Sequence, residues 1–391
     1  MSSRTAITWQ IRSVHRAYGS IIAGGAAGLG MLVLLLLGGL GALVLGADLF
    51  VRGVSRIAAR LGVPPLIIGL TVVAMGTSAP EVAISVQGAI DGRSGIAIGN
   101  AVGSNIFNVL FILGLSALIA PLAVARQLIR LDVPLMIVLS LLSLGLAWNG
   151  SIERWEGGLL LLLGVVYICF LIRQAAREPA VADDEFARVY GPELKTRRRS
   201  WLIDLVLGAI GLTLLVLGCR WFVAGAVSVA RALEISELVI GLTIVAAGTS
   251  LPEVATSVVA SIRGERDIAV GNVIGSNIFN LVLVIGLSSV IAPAGLTVSE
   301  QVLRFDLPIM IVVAAACLPI FLTGHRIDRW EGGLFLVSYL IYVAWLVVES
   351  LAHPAWLGSR TVALAIAVSL LGVTMAVVLG RSAGRARVPS A

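Results

Sequence analysis

Residues 69–119 recur at 241–291 with a constant offset of 172, and 30 of the 51 positions are identical. The first copy reads GLTVVAMGTSAPEVAISV and then GNAVGSNIFN; the second reads GLTIVAAGTSLPEVATSV and then GNVIGSNIFN. The likeness extends outward. VLGADLFVRG is echoed by VLGCRWFVAG, and RWEGG at 154–158 returns at 329–333. The duplicated unit is most of a half-protein, so whatever the chain folds into must hold two like halves.

Each half is a series of apolar runs of about 20 residues, enough at 1.5 Å per residue to cross a hydrocarbon core of roughly 30 Å. They fall near 28–51, 64–90, 95–119, 131–149 and 155–173, and again near 201–224, 236–262, 267–291, 305–323 and 329–349. A run at 361–380 has no partner in the first half and makes an eleventh span. Only 13% of residues are charged, against about 25% in a soluble domain, which leaves too little polar surface for a globule in water. The expected fold class is an all-α polytopic membrane protein. Five spans per copy is an odd number, so the second copy enters the membrane from the side opposite to the first. The chain therefore reads as two inverted-topology five-helix repeats plus one extra C-terminal transmembrane helix. In such proteins substrate sites tend to lie near the midplane between the copies.

The expected organisation is an N-terminal tail and start of the first span (1–27), a first repeat (28–174), a charged loop (175–200), a second repeat (201–350), and an extra span with a basic tail (351–391). The apolar run at 19–47 outlasts a signal peptide's core of about 7–15 residues, and reads as one long or tilted span. Placing the inter-half loop in the cytoplasm puts 19 of the 28 Lys and Arg residues on that side and eight on the other, with Arg220 inside a span. The positive-inside rule then sets the N-terminus outside and the C-terminus in the cytoplasm of a cell whose cytoplasmic (inner) membrane holds the chain. The net charge of +6 lies in loops between spans, so the expected partner is the lipid bilayer and not nucleic acid. The oligomeric state is left open, a monomer being compatible. Cys169, Cys219 and Cys317 sit singly in apolar spans and read as packing residues.

The chemistry lies in the repeated motifs. Gly-Thr-Ser-x-Pro-Glu falls near the centre of spans 2 and 7, at 76–81 and 248–253. Pro80 and Pro252 lack an amide hydrogen, and each frees a carbonyl about one turn earlier. The carbonyls near Ala74 and Ala246 thereby become candidate cation ligands, since opened backbone survives in a membrane only where it is buried in protein or lines a wet cavity. Thr77, Ser78 and Glu81 share a helix face by spacing, and Thr249, Ser250 and Glu253 repeat the arrangement. A carboxylate at mid-depth costs about 2.5–3.5 kcal/mol on insertion scales, and no lysine or arginine in the matching spans neutralises these two. A cation does so, and oxygen-only ligands select a hard one: calcium, sodium or a proton.

Spans 3 and 8 carry Gly-Ser-Asn-Ile-Phe-Asn, with Ser104 and Asn108, and Ser276 and Asn280, four residues apart at the depth of the glutamates. A purely structural reading would make each Pro-Glu a kink and each Ser or Asn an interhelical packing residue. Recurrence of both motifs at one spacing and depth in two copies tells against it. Asp132 and Asp306 precede Pro134 and Pro308 at the starts of spans 4 and 9, where helix capping is expected. Asp48 and Arg220 occupy matching repeat positions near span ends and are expected to snorkel or pair.

At these motifs the sequence resembles the calcium/cation antiporter superfamily, in particular its prokaryotic sodium/calcium exchanger branch. GTSAPE with GSNIFN, and GTSLPE with GSNIFN, look like that family's two α-repeats, and the likeness covers roughly residues 30–350. The resemblance implies that Glu81 and Glu253 bind calcium centrally. Thr77, Ser78, Ser104, Asn108, Thr249, Ser250, Ser276 and Asn280, with the carbonyls of Ala74 and Ala246, would complete the calcium and sodium sites. Some members, and the potassium-dependent branch, have Asp where Asn280 stands, so this chain's amide argues against potassium coupling. The loop between halves is too short for the calcium-sensing domains of animal exchangers.

The implied function is secondary antiport of calcium against sodium by alternating access, spans 1 and 6 sliding across an eight-helix core. It implies no enzyme and no cofactor beyond the transported ions. The nearest rival is a calcium/proton antiporter in which Glu81 and Glu253 exchange protons. An intramembrane serine hydrolase at Ser78 or Ser250 is a distant rival, lacking a histidine or lysine base in any motif-bearing span. A passive channel fits less well, because two carboxylates closing one compact site suit tight binding more than fast conduction.

Overall fold

The computed structural model describes residues 26–177, 201–232, 246–322 and 324–351, and the apolar runs within them become helices. The N-terminal tail, most of the inter-half loop, the start of the seventh span, the eleventh span and the C-terminal tail lie outside the described residues. In the first half, α1 (Ala26–Leu61) leads to a bent pair, α2 (Pro65–Thr77) and α3 (Ala79–Ile90). α4 (Ser94–Ile119), α5 (Leu128–Asn149) and α6 (Arg154–Arg177) follow. The second half gives α7 (Trp201–Ala232), α8 (Ala246–Thr249), α9 (Leu251–Ile262), α10 (Arg266–Ile291), α11 (Val302–Leu322) and α12 (Arg329–Leu351). Seven of the described helices are long and apolar enough to cross a membrane, and the bent pair makes an eighth span. The protein is an all-α polytopic membrane protein.

Four two-residue strands clip the halves together: β1 (Leu122–Ala123), β2 (Ser151–Ile152), β3 (Leu296–Thr297) and β4 (Arg326–Ile327). β1 pairs antiparallel with β4, Leu122 opposite Ile327, and β2 with β3, Ile152 opposite Leu296. The loop after α4 thus meets the loop after α11, and the loop after α5 meets the loop after α10. Each loop pairs with a loop that follows a different span of the repeat.

Glycines seven residues apart shape the contact between α1 and α7. A Cβ added at Gly46 would stand 2.7 Å from the Leu215 amide nitrogen, and one at Gly218 2.7 Å from that of Leu43. Gly39 meets Phe222 and Gly53 meets Gly208 in the same way, so the two helices run antiparallel with their backbones almost touching. Only glycine permits this approach, which is how membrane helices gain close packing without a hydrophobic drive between them. Gly46→Ala is expected to lower the melting temperature in detergent and to slow transport. Gly41→Ala, where an added Cβ meets nothing within 4 Å, should leave both unchanged. Thermal unfolding of the two variants checks this, and equal behaviour would contradict the packing argument.

α4 and α10 form the centre. The apolar window of α10 is 94% buried and that of α4 72%, against 28% for α1 and 22% for α6. Ile106, Ile274, Ile278 and Phe279 from these two helices lie in one core cluster. The Gly-Ser-Asn-Ile-Phe-Asn motifs are therefore held on the most buried of the long helices.

Asp132, at the start of span 4, does not cap a helix. α5 and α11 begin earlier, with π-helical turns at Leu128–Asp132 and Val302–Asp306, and Asp132 makes no capping hydrogen bond. Instead Asp132 accepts from Tyr167 Oη at 3.0 Å and Asp306 from Tyr342 Oη at 3.2 Å. A buried carboxylate needs donors, and the neighbouring helix supplies them. Among the short-range expectations this one is corrected.

Candidate cation-binding site

Both motif-bearing spans break at a serine. Ser78 has φ −79° and ψ 4°, and Ser250 φ −91° and ψ 9°; α2 and α3 meet at a 46° bend. Pro80 and Pro252 sit at the second position of α3 and α9, where an amide hydrogen would be unused in any case. In an unbroken helix their missing N–H groups would have reached the carbonyls four residues back, those of Gly76 and Gly248. By this count the prolines free the carbonyls of Gly76 and Gly248, whereas those of Ala74 and Ala246, the ligands that the family resemblance implies, lie two residues further back. Ala74 O accepts from Ser78 N at 3.0 Å and from Thr77 Oγ1 at 3.4 Å, and Ala246 heads α8. The carbonyl of Gly248 accepts from Cys219 Sγ at 2.8 Å, so this cysteine does more than fill space.

The break sets Glu81 and Glu253 in the first turns of α3 and α9, at the ends whose backbone dipole favours negative charge. Each is 1% exposed. Ser250 Oγ donates to Glu81 Oε1 at 3.0 Å, and Ser78 Oγ to Glu253 Oε1 at 3.1 Å. Each glutamate therefore takes its hydroxyl from the other half of the protein. Ser250 Oγ also lies 3.1 Å from Ser104 Oγ. Thr77 Oγ1 donates to Asn272 Oδ1 and Thr249 Oγ1 to Asn100 Oδ1, both at 3.2 Å. Asn100 and Asn272 in turn donate to Ser85 and Ser257 at 2.9 Å.

Asn108 and Asn280 open π-helical turns, Asn108–Leu113 and Asn280–Ile285, a distortion frequent at functional positions. Asn108 Nδ2 donates to Asn277 Oδ1, and Asn280 Nδ2 to Asn105 Oδ1, both at 3.0 Å. Asn100, Asn272, Asn105 and Asn277 were not expected at the site. Their signal lay in the quoted repeats, where GN and GSN recur in both copies.

After these bonds, Glu81 Oε2, Glu253 Oε2, Asn108 Oδ1, Asn280 Oδ1 and Ser276 Oγ are buried with no hydrogen-bond partner. Leaving such a group unsatisfied costs about 1–3 kcal/mol, more for a charged one. Unpartnered buried oxygens also occur outside the site, among them Asp132 Oδ2, Ser55 Oγ and Thr256 Oγ1; these five stand on residues of the two repeated motifs. No group of three or more His, Cys, Asp or Glu side chains able to hold a metal ion occurs among the described residues. A cation bound here would rest on two carboxylates supplemented by neutral oxygens, a set suited to hard ions.

The family model described as sodium/calcium exchanger protein matches residues 31–173 and 203–348. The chain is 37% identical over 345 residues to the sodium/calcium exchanger MaX1 of Methanosarcina acetivorans, covering 81% of this chain and 97% of that one. It is 36% identical over 312 residues to the inner membrane protein YrbG of Escherichia coli, covering 80% and 95%. Among solved structures, the sodium-calcium exchanger NCX_Mj superposes with a TM-score of 0.68 at 34% identity, covering 80% of this chain and 97% of that one. The family match takes in both halves, including every motif from which the site is built: the chain belongs to the sodium/calcium exchanger protein family.

Proposed function

We propose that this protein exchanges calcium for sodium across the cytoplasmic membrane, the ions competing for the oxygens gathered around Glu81 and Glu253. The observation that carries this reading is the set of unpartnered buried oxygens on Glu81, Glu253, Asn108, Asn280 and Ser276. Two carboxylates and one calcium ion sum to zero charge, which removes the penalty of ionised groups at mid-depth. Asn280 contributes a dipole where a carboxylate would add a third charge, and this favours sodium over potassium as the counter-ion. The names of MaX1 and NCX_Mj include sodium and calcium, and that of YrbG places that relative in an inner membrane. The N-terminus outside and the C-terminus inside follow from the loop charges.

The two halves are read as inverted copies. Support comes from exchanged contacts: Ser78 with Glu253 and Ser250 with Glu81, and β1 with β4 and β2 with β3. Antiparallel packing of the equivalent helices α1 and α7 is what an axis in the membrane plane would produce.

Alternating access then follows from one asymmetry. α1 packs along α9, and Arg263 at the end of α9 donates through Nε to Asp48 Oδ1 on α1 at 2.7 Å. The positions 172 residues away hold the same two charges reversed: Arg220 on α7 and Asp91 at the end of α3. Arg220 is exposed and no ion pair joins it to Asp91 among the described residues; Asp91 instead accepts from Gln87 at 3.0 Å and pairs with its neighbour Arg93 at 3.8 Å. We read Asp48–Arg263 as closing the cytoplasmic side in this conformation, and Arg220–Asp91 as the pair that closes the outer side when α1 and α7 slide.

Equilibrium binding of calcium-45 to purified protein tests the shared site. Sodium is expected to displace the bound calcium, while equal potassium does not. Calcium binding indifferent to sodium would contradict competition for one set of ligands.

A further inference from the structure

Asn105 and Asn277 precede the ligand amides by three residues on α4 and α10 and are buried. Each accepts from the ligand amide of the other half, as described above, and each is itself tied at its nitrogen end. Asn105 Nδ2 donates to the Asn277 carbonyl at 3.2 Å and to Met310 Sδ at 3.5 Å. Asn277 Nδ2 donates to Met136 Sδ at 3.5 Å. An asparagine side chain has a donor end and an acceptor end of nearly equal size. Reversing Asn277 would set its NH2 against that of Asn108, and reversing Asn105 would do the same to Asn280. The anchors therefore fix which way the whole row of amides faces.

The consequence falls at the other end of the row. With their nitrogens engaged, Asn108 and Asn280 are left with Oδ1 buried and unpartnered. Either amide, turned over, would offer two N–H groups to a cation in place of an oxygen. We infer that Asn105 and Asn277 are positioning residues that hold Asn108 and Asn280 oxygen-first toward the transported cation, each half orienting the ligand of the other. This inference rests on the cation site proposed above. It adds that ion affinity depends on residues that touch no ion.

The test uses calcium-45 binding to full-length protein in a four-variant cycle: wild type, Asn277→Leu, Asn108→Asp, and the two together. An aspartate presents oxygen from both ends, so its orientation needs no partner. Asn277→Leu alone is expected to weaken calcium binding about 10–100-fold, the usual effect of removing a group that orients a metal ligand. In the Asn108→Asp background the same change should cost no more than about threefold, within ordinary non-additivity. Equal losses in both backgrounds would reduce Asn277 to a packing residue, and an unchanged affinity for Asn277→Leu would overturn the inference outright. If the leucine variant does not fold, Asn277→Ser, too short to reach Asn108, takes its place with the same expectations. Failure of the wild type to bind calcium would strike the cation site itself before any variant is compared.

Discussion

Glu81→Gln protein is expected to fold, insert and lose calcium exchange altogether, and Glu253→Gln likewise. The sign follows from charge. Wild-type protein with calcium is neutral at the site, whereas either variant with calcium carries one uncompensated positive charge at mid-depth. That charge costs several kcal/mol, and each 1.4 kcal/mol is tenfold in affinity, so binding falls by orders of magnitude. Without the ion the variant is spared an ionised carboxylate that is 1% exposed, and expression and melting temperature should hold or rise. Size-exclusion profiles and calcium-45 uptake, measured together, separate the two effects. A Glu81→Gln protein exchanging calcium near the wild-type rate would mean the ion binds elsewhere.

The second large effect concerns motion. With Cys169, Cys219 and Cys317 replaced, cysteines at Asp48 and Arg263 bridged by a short bifunctional thiosulfonate should stop turnover, and reductant should restore it. The bridge would hold α1 against α9 and keep the cytoplasmic side shut, while calcium binding from the outer side persists. A cross-linked protein that still turns over would show that these helices need not part. Bridging cysteines at Arg220 and Asp91 should instead trap the opposite conformation, with binding retained only from the cytoplasmic side.

Much of this was legible in the residues. The apolar runs and the offset of 172 gave the helices, and charge in an apolar span singled out Glu81 and Glu253. Spacing suggested that Ser78 and Glu81 act as neighbours on one helix face. In the structure Ser78 serves Glu253 and Ser250 serves Glu81, because the helix breaks between them and turns each serine to the other half. Periodicity describes one helix at a time and carries no information on which copy supplies a partner. Asn105 and Asn277 were hidden for the same reason: the amides they orient, Asn280 and Asn108, are met across the halves.

Boundaries erred where charge is paired. α1 was expected to end near 51 but continues to Leu61, carrying Arg60, whose Nε donates at 3.0 Å to the fully buried Asp204 at the start of α7. Hydropathy alone stops at the first arginine, because the partner lies 144 residues away. Asp132 shows the same limit: a proline two residues on suggests a cap, but Tyr167 on α6 already claims the carboxylate.

The central claim is that sodium and calcium are exchanged through one site, and coupled flux tests it most directly. Proteoliposomes loaded with sodium and diluted into sodium-free buffer containing calcium-45 should take up calcium. Vesicles loaded with potassium should not, nor should vesicles given only a proton gradient. Uptake driven equally by a proton gradient in sodium-free buffer would contradict sodium coupling and make the protein a calcium/proton antiporter.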